Sequence, residues 1–118
     1  MSETTKTERP WGWYDVLYQS GTETKVKTLV VEPGQRLSMQ KHNERSEHWH
    51  IVCGIGNVKL KTKHANKTEE HDKFLSKGVN LNIPVGVWHQ LSNTGKDDLH
   101  LIEIQYGTKC IEEDIERE

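Results

Sequence analysis

No apolar run in this chain approaches the roughly 18 residues that a membrane-crossing helix needs. The first ten residues, MSETTKTERP, are polar and lack the apolar centre of a secretory signal. Together these absences point to a cytoplasmic protein. Cysteine is scarce, and two residues, Cys53 and Cys110, do not make a disulfide framework. Cys53 lies in a strand-like pattern and reads as a small core residue. Neither sign of charge dominates: 16 Lys and Arg face 18 Asp and Glu, for a formal net charge of −2. No overall basic field therefore recommends nucleic acid or an anionic membrane as a partner. Hydrophobic residues are sparse as well, at 32% beside 29% charged. A core built from so little uses one face of each strand, which favours an antiparallel barrel or sandwich over a parallel sheet buried on both sides. At 118 residues the chain has room for one domain with a modest core.

What is present is a rhythm of short strands. Residues 1–8 read as a flexible arm and 9–118 as the domain. After the turn-like Arg9-Pro10-Trp11-Gly12, strands are expected over 13–18, 25–32, 57–62, 72–76, 80–83 and 99–106, with glycine and proline between them. Residues 63–70 form a polar hairpin tip with its flanks, and 112–117 are expected to make one helical turn. Alternation places Lys27, Leu29 and Val31 on one face of their strand. In the last strand it separates Leu99, Leu101, Glu103 and Gln105 from Ile102, Ile104 and Tyr106. This pattern predicts an all-β barrel or jelly roll.

The stretch 34–54, GQRLSMQKHNERSEHWHIVCG, carries the chemistry. It reads as two strands facing each other across a polar turn, Asn43, Glu44, Arg45 and Ser46. Gln40 and His42, two apart, share a face, and the turn brings Glu47 back opposite them. A fourth group, His89, comes from GVNLNIPVGVWHQLSN. Two imidazoles, a carboxylate and an amide oxygen suit one divalent first-row metal, and the set does not choose among Zn, Mn, Fe, Ni and Co. A closed structural zinc site would favour sulfur. His48 and His50 are out of phase with Glu47 and Trp49 and point away from the interior, to the surface or a dimer contact. His64, His71 and His100 read as ordinary surface or core residues.

Written as spacings, the first stretch is Gly34, five residues, Gln40, one, His42, four, Glu47, six, Gly54. The second is Gly78, five residues, Pro84, one, Gly86, two, His89, three, Asn93. The pair resembles the two cupin motifs at every spacing, with Gln40 where many cupins carry a first histidine. RPWGWYDVL, LSMQKHNERSEHWHIVCG and LIEIQYG together are similar to the cupin domain of type II phosphomannose isomerases, over roughly residues 9–117. The resemblance implies a single-domain double-stranded β-helix, a bound divalent metal, and interconversion of mannose 6-phosphate and fructose 6-phosphate or a related sugar phosphate. No glycine-rich nucleotide-binding signature lies in these residues, so guanylyltransferase activity is not expected of them.

Such an isomerase needs a cation at the reacting oxygens, a group that moves the proton, and a cationic cradle for phosphate. The metal at Gln40, His42, Glu47 and His89 would supply the first. Arg9, Lys27, Arg45 and Arg117 are candidates for the cradle, with Gln105 as a further substrate contact. Lys27 and Arg45 would then also assist the chemistry. An inward Lys27 requires an anionic partner; the alternative is a solvent-exposed face. Glu103 either moves the proton at a raised pKa or holds a ligand histidine in place. Glu113 and Asp114 match the acidic run of the family's C-terminal segment. The rivals are a metal-dependent cupin oxygenase, which would prefer more histidine than Gln40 allows, and a non-catalytic sugar-binding module. Open sheet edges make a homodimer the default.

Overall fold

The computed structural model describes residues 6–118. Eleven strands follow in order: β1 Thr7–Arg9, β2 Gly12–Ser20, β3 Thr24–Val31, β4 Gln40–Lys41, β5 Arg45–Cys53, β6 Gly56–Lys63, β7 Thr68–Leu75, β8 Asn80–Ile83, β9 Trp88–Asn93, β10 Leu99–Gly107 and β11 Glu116–Arg117. They form two antiparallel sheets, ordered β1-β2-β3-β10-β5-β8 and β11-β4-β9-β6-β7. Among the described residues there is no helix.

Period-two alternation builds this arrangement. Along β5, Arg45, Glu47, Trp49 and Ile51 are buried, while Ser46, His48 and His50 are not. The same alternation buries Leu99, Leu101, Glu103 and Gln105 on β10. The apolar half of each inward row fills one end of the barrel with Leu29, Val31, Trp49, Ile51, Val58, Leu75, Leu91, Leu99 and Leu101. Burying each such side chain contributes about 1.5–3 kcal/mol. The polar half of the same rows (Lys27, Glu47, Glu103 and Gln105) lies towards the other end, and all four are buried. The division of each strand into apolar and polar halves is what positions the site.

Several expectations are corrected here. The two halves of the 34–54 stretch are not a hairpin. β4 pairs with β9 and β11, whereas β5 pairs with β10 and β8, so they lie in different sheets. Alternation fixes the face of a side chain but not its strand's neighbour. Arg45 and Ser46 belong to β5 rather than to the turn. Cys53 is exposed, because the β5–β10 register slips: Ile51 opposes Leu101 while Cys53 opposes His100. The extra residue turns Cys53 to the outer face. In the expected 1–8 arm, residues 1–5 lie outside the described residues, and Thr7 and Glu8 pair with Tyr14 and Trp13. The expected helical turn over 112–117 is instead a strap: one tight turn at Glu112 and Glu113, closed by the Asp114 amide on the Ile111 carbonyl at 3.2 Å, leads into the short strand β11. Gly54, at the corner after β5, has φ of 99° and passes so close to the chain that a Cβ would lie 2.6 Å from the Asp98 carbonyl oxygen. Only glycine fits both demands.

Candidate metal and substrate site

His42 sits at the corner just beyond β4, Glu47 is the third residue of β5, and His89 is the second residue of β9. These three buried side chains converge from both sheets, with one ligand atom from each lying within 4.8 Å of the others. Glu47 is central: Oε2 lies 3.1 Å from His42 Nε2, and Oε1 lies 3.8 Å from His89 Nε2. Each histidine keeps Nδ1 on a main-chain carbonyl, His42 on Asp114 at 2.6 Å and His89 on Val87 at 3.0 Å. With Nδ1–H donating outward, both Nε2 atoms are turned towards Glu47, the arrangement a histidine ligand requires. Burial lowers the His89 pKa despite the opposing Glu47 charge, which favours the neutral imidazole that a metal needs. The donor set and its orientation fit a divalent ion. Gln40 stands opposite His89 across the β4–β9 pairing and lines the same cavity. Its amide is turned to Ser38, at 3.4 Å.

Arg45 packs against this triad. Its Nε and Nη2 donate to Glu47 Oε2 at 3.2 and 3.1 Å, Nη2 lies 3.1 Å from His42 Nε2, and Nη1 donates to the Ile111 carbonyl at 3.2 Å. Trp49 Nε1 donates to Glu47 Oε1 at 3.0 Å. Burial alone pushes the Glu47 pKa up. The hydrogen bond with His42 and the charges of His89, His42 and Arg45 outweigh burial and hold the carboxyl well below its ordinary range.

Glu103 lies opposite Lys27 on one side and Trp49 on the other. Burial, reinforced by the nearby Glu47 charge and only partly opposed by Lys27, pushes its pKa up to about 8. Gln105 Nε2 donates to Glu103 Oε1 at 2.5 Å. Main-chain carbonyls, not Glu103, hold the ligand histidines. Among the described residues, Gln105 Oε1 is the one buried side-chain polar atom with no hydrogen-bond partner. An orphaned acceptor on a cavity wall is suited to a ligand hydroxyl.

Lys27 is buried, as the inward alternative required. Its Nζ lies 2.6 Å from Glu112 Oε1 and 4.3 Å from the centre of the Tyr14 ring. The anion demanded by a buried lysine is thus the chain's own Glu112. Sequence reasoning did not single this residue out; the unpaired inward lysine was the signal, but nothing local chose among the acids of the IEEDIERE segment. Asp114 was also given no position, and it anchors the strap: its carboxylate accepts from the Asn43 and Glu44 amides at 3.0 and 2.9 Å. Glu113 is exposed.

A cavity of about 370 Å³ joins these groups, lined by Arg9, Lys27, Gln40, Arg45, Glu47, His89, Glu103, Gln105, Glu112 and Arg117 among others. Arg9 and Arg117 are exposed at its rim. His48 and His50 lie outside, paired with Asn82 and Asn80 on the outer face of the sheet.

The family described as mannose-6-phosphate isomerase C-terminal matches residues 1–118. The alginate biosynthesis protein AlgA of Pseudomonas aeruginosa is 40% identical over 109 residues, 92% of this chain and 21% of that protein. The xanthan biosynthesis protein XanB of Xanthomonas campestris is 40% identical over 112 residues, 95% of this chain and 22% of that protein. A mannose-1-phosphate guanylyltransferase of Escherichia coli is 38% identical over 109 residues, 92% and 21% of the two chains. The chain thus spans about a fifth of the length of these relatives. Among solved structures, the capsular polysaccharide assembling protein CapF of Staphylococcus aureus superposes with a TM-score of 0.84 at 20% identity, covering 99% of this chain and 34% of that one. The Cnp3 cupin domain of Schizosaccharomyces pombe gives 0.69 at 13% identity, covering 81% and 64%. These structural likenesses show a cupin fold.

Proposed function

Since this chain belongs to the mannose-6-phosphate isomerase C-terminal family, we propose that it is a metal-dependent aldose–ketose isomerase interconverting mannose 6-phosphate and fructose 6-phosphate. The observation that carries this reading is one cavity lined by Glu47 and His89 of the buried His42–Glu47–His89 triad, by the buried cations Lys27 and Arg45, and by the buried acid Glu103 with its raised pKa. His42, Glu47 and His89 would hold the ion, with Gln40 at their edge. A divalent ion there supplies Lewis-acid stabilisation of negative charge developing on the sugar oxygens.

The chain's own groups do the rest. Glu103 moves the proton between the two adjacent carbons: its ionised form takes the proton from one carbon and its conjugate acid returns it to the other. A pKa of about 8 makes it a stronger base than an ordinary carboxylate while leaving part of it ionised at neutral pH. Gln105 fixes the Glu103 carboxyl with its amide and accepts from a sugar hydroxyl at its free oxygen. Lys27 and Arg45 bind the phosphate as charge-assisted donors, with Arg9 and Arg117 completing the rim. Trp49 holds Glu47 in place. β8 and β7 end their sheets, and an open edge is a liability in isolation, so we extend the proposal to a homodimer.

A second reading has one observation in its favour. Two imidazoles and a carboxylate are also the donor set of non-haem iron oxygenases. The buried cations beside the site favour a phosphorylated substrate instead. A coupled assay of fructose 6-phosphate formation, with and without chelator, tests the isomerase. Oxygen uptake without isomerisation would transfer the site to the rival class.

A further inference from the structure

The cation pair and its internal partner are unequally buried. The side chains of Lys27 and Arg45 are 7% and 6% exposed, whereas that of Glu112 is 47% exposed. Glu112 Oε1 lies 2.6 Å from Lys27 Nζ, and Oε2 lies 3.9 Å from Arg45 Nη1. The cations are therefore fixed in the cavity wall while the carboxylate closes over them from the solvent side. Removing it without replacement would leave the buried Lys27 without its close anion and Arg45 with Glu47 alone, which is costly. Only another anion can take its place cheaply.

The backbone beneath Glu112 is held independently of that ion pair. The Ile111 carbonyl accepts from Arg45 Nη1 at 3.2 Å. The Cys110 amide donates to the Thr22 carbonyl at 2.5 Å, and the Glu118 amide donates to the Met39 carbonyl at 3.0 Å. Between them, the Asp114 carboxylate holds the Asn43 and Glu44 amides and its carbonyl holds His42. The Glu112 side chain can swing away while the strap, and with it His42, stays in place.

We propose that Glu112 is a built-in competitor for an anion site formed by Lys27 and Arg45, and that a phosphate monoester enters by displacing this carboxylate. A phosphate near neutral pH carries close to two charges and three acceptor oxygens, so it can serve Lys27 and Arg45 together where the carboxylate reaches Arg45 only at 3.9 Å. The lowered pKa of Glu112 agrees: Lys27, Lys25 and Arg45 keep it ionised against the effect of burial. The competitor sets a threshold, because singly charged anions gain little by exchange and a dianion gains most. The inference rests on the sugar-phosphate reading only for the identity of the anion.

Calorimetric titration of the full-length, metal-free protein with inorganic phosphate at fixed ionic strength tests it. Glu112→Gln should bind phosphate roughly tenfold more tightly than wild type, the scale of one charge-assisted hydrogen bond. Glu112→Ala should behave alike, Glu113→Gln should match wild type, and Lys27→Ala should abolish binding. Exchange of the Asn43 and Glu44 amides should stay slow at saturating phosphate; acceleration would overturn the claim that only the side chain moves. Equal phosphate affinity in wild type and both Glu112 variants would overturn displacement. Mannose 6-phosphate binding by wild type, measured alongside, would in that case leave the isomerase reading standing. Failure of every form to bind either phosphate or mannose 6-phosphate would overturn both.

Discussion

Replacing Glu103 by glutamine removes a titrating proton while keeping the shape of the side chain. In the folded protein its pKa is pushed to about 8, against an ordinary value of 4.5. The sign follows: a raised folded pKa favours the native state below about 4.5, and that advantage is lost as pH rises towards 8. At pH 7 the unfolded chain has released this proton and the native chain still holds it. At 1.36 kcal/mol per pH unit, the interval from 4.5 to 7 amounts to roughly 3 kcal/mol of native stability forgone by wild type. Glutamine has no proton to retain, keeps an acceptor for Gln105 and offers an N–H towards Glu47. Glu103→Gln should therefore be more stable than wild type at neutral pH, by up to that amount. The assay is urea denaturation of the metal-free proteins at pH 5, 6, 7 and 8, taking the difference at each pH so that shared titrations cancel. The gap should widen with pH at up to about 1.4 kcal/mol per unit and level off above 8. A divalent ion, by satisfying Glu47, should flatten it, since the Glu47 charge is the second largest cause of the shift. The same variant should lose isomerase activity. A gap that does not change between pH 5 and 8 would refute the claim that Glu103 is held neutral.

Two further perturbations address the strap and the core. Asp114→Ala removes both acceptors that fix the 42–44 corner and frees the carbonyl that orients His42; divalent metal affinity should fall roughly 10–100-fold, read by competition with a chromogenic chelator, with Asp114→Asn falling less. Leu91→Ala empties a position 1% exposed between the sheets and should cost about 2–5 kcal/mol in urea denaturation, while metal stoichiometry per folded chain is kept.

The fold was legible because its strands alternate. Leu29 and Val31, or Leu99 and Leu101, announce an inward face on sequence alone, and Lys27, Glu103 and Gln105 inherit that face by parity. The triad was legible through its two spaced motifs, and the fold brings His42, Glu47 and His89 together. What parity could not supply was partnership between strands. β4 and β5, adjacent in sequence, part into different sheets, so Gln40 neighbours His89 rather than Glu47. Nor could it register a slipped residue: Cys53 continues the inward pattern in sequence and faces outward after the bulge. The strap was opaque for another reason. IEEDIERE has no apolar rhythm, and its acids acquire their positions from distant cations and amides on β3, β5 and the 42–44 corner. Glu112 could be found only by asking what neutralises a buried lysine, and Asp114 only by asking what orients an imidazole.

Elemental analysis after equilibrium dialysis is the most direct test of the whole account. Full-length protein, stripped by chelator and dialysed against a divalent ion, should retain one ion per chain. His89→Ala, treated identically and shown to be folded, should retain none. A wild-type chain that emerges empty, or a His89→Ala chain that keeps its full complement, would contradict the three-residue site on which the proposed chemistry stands.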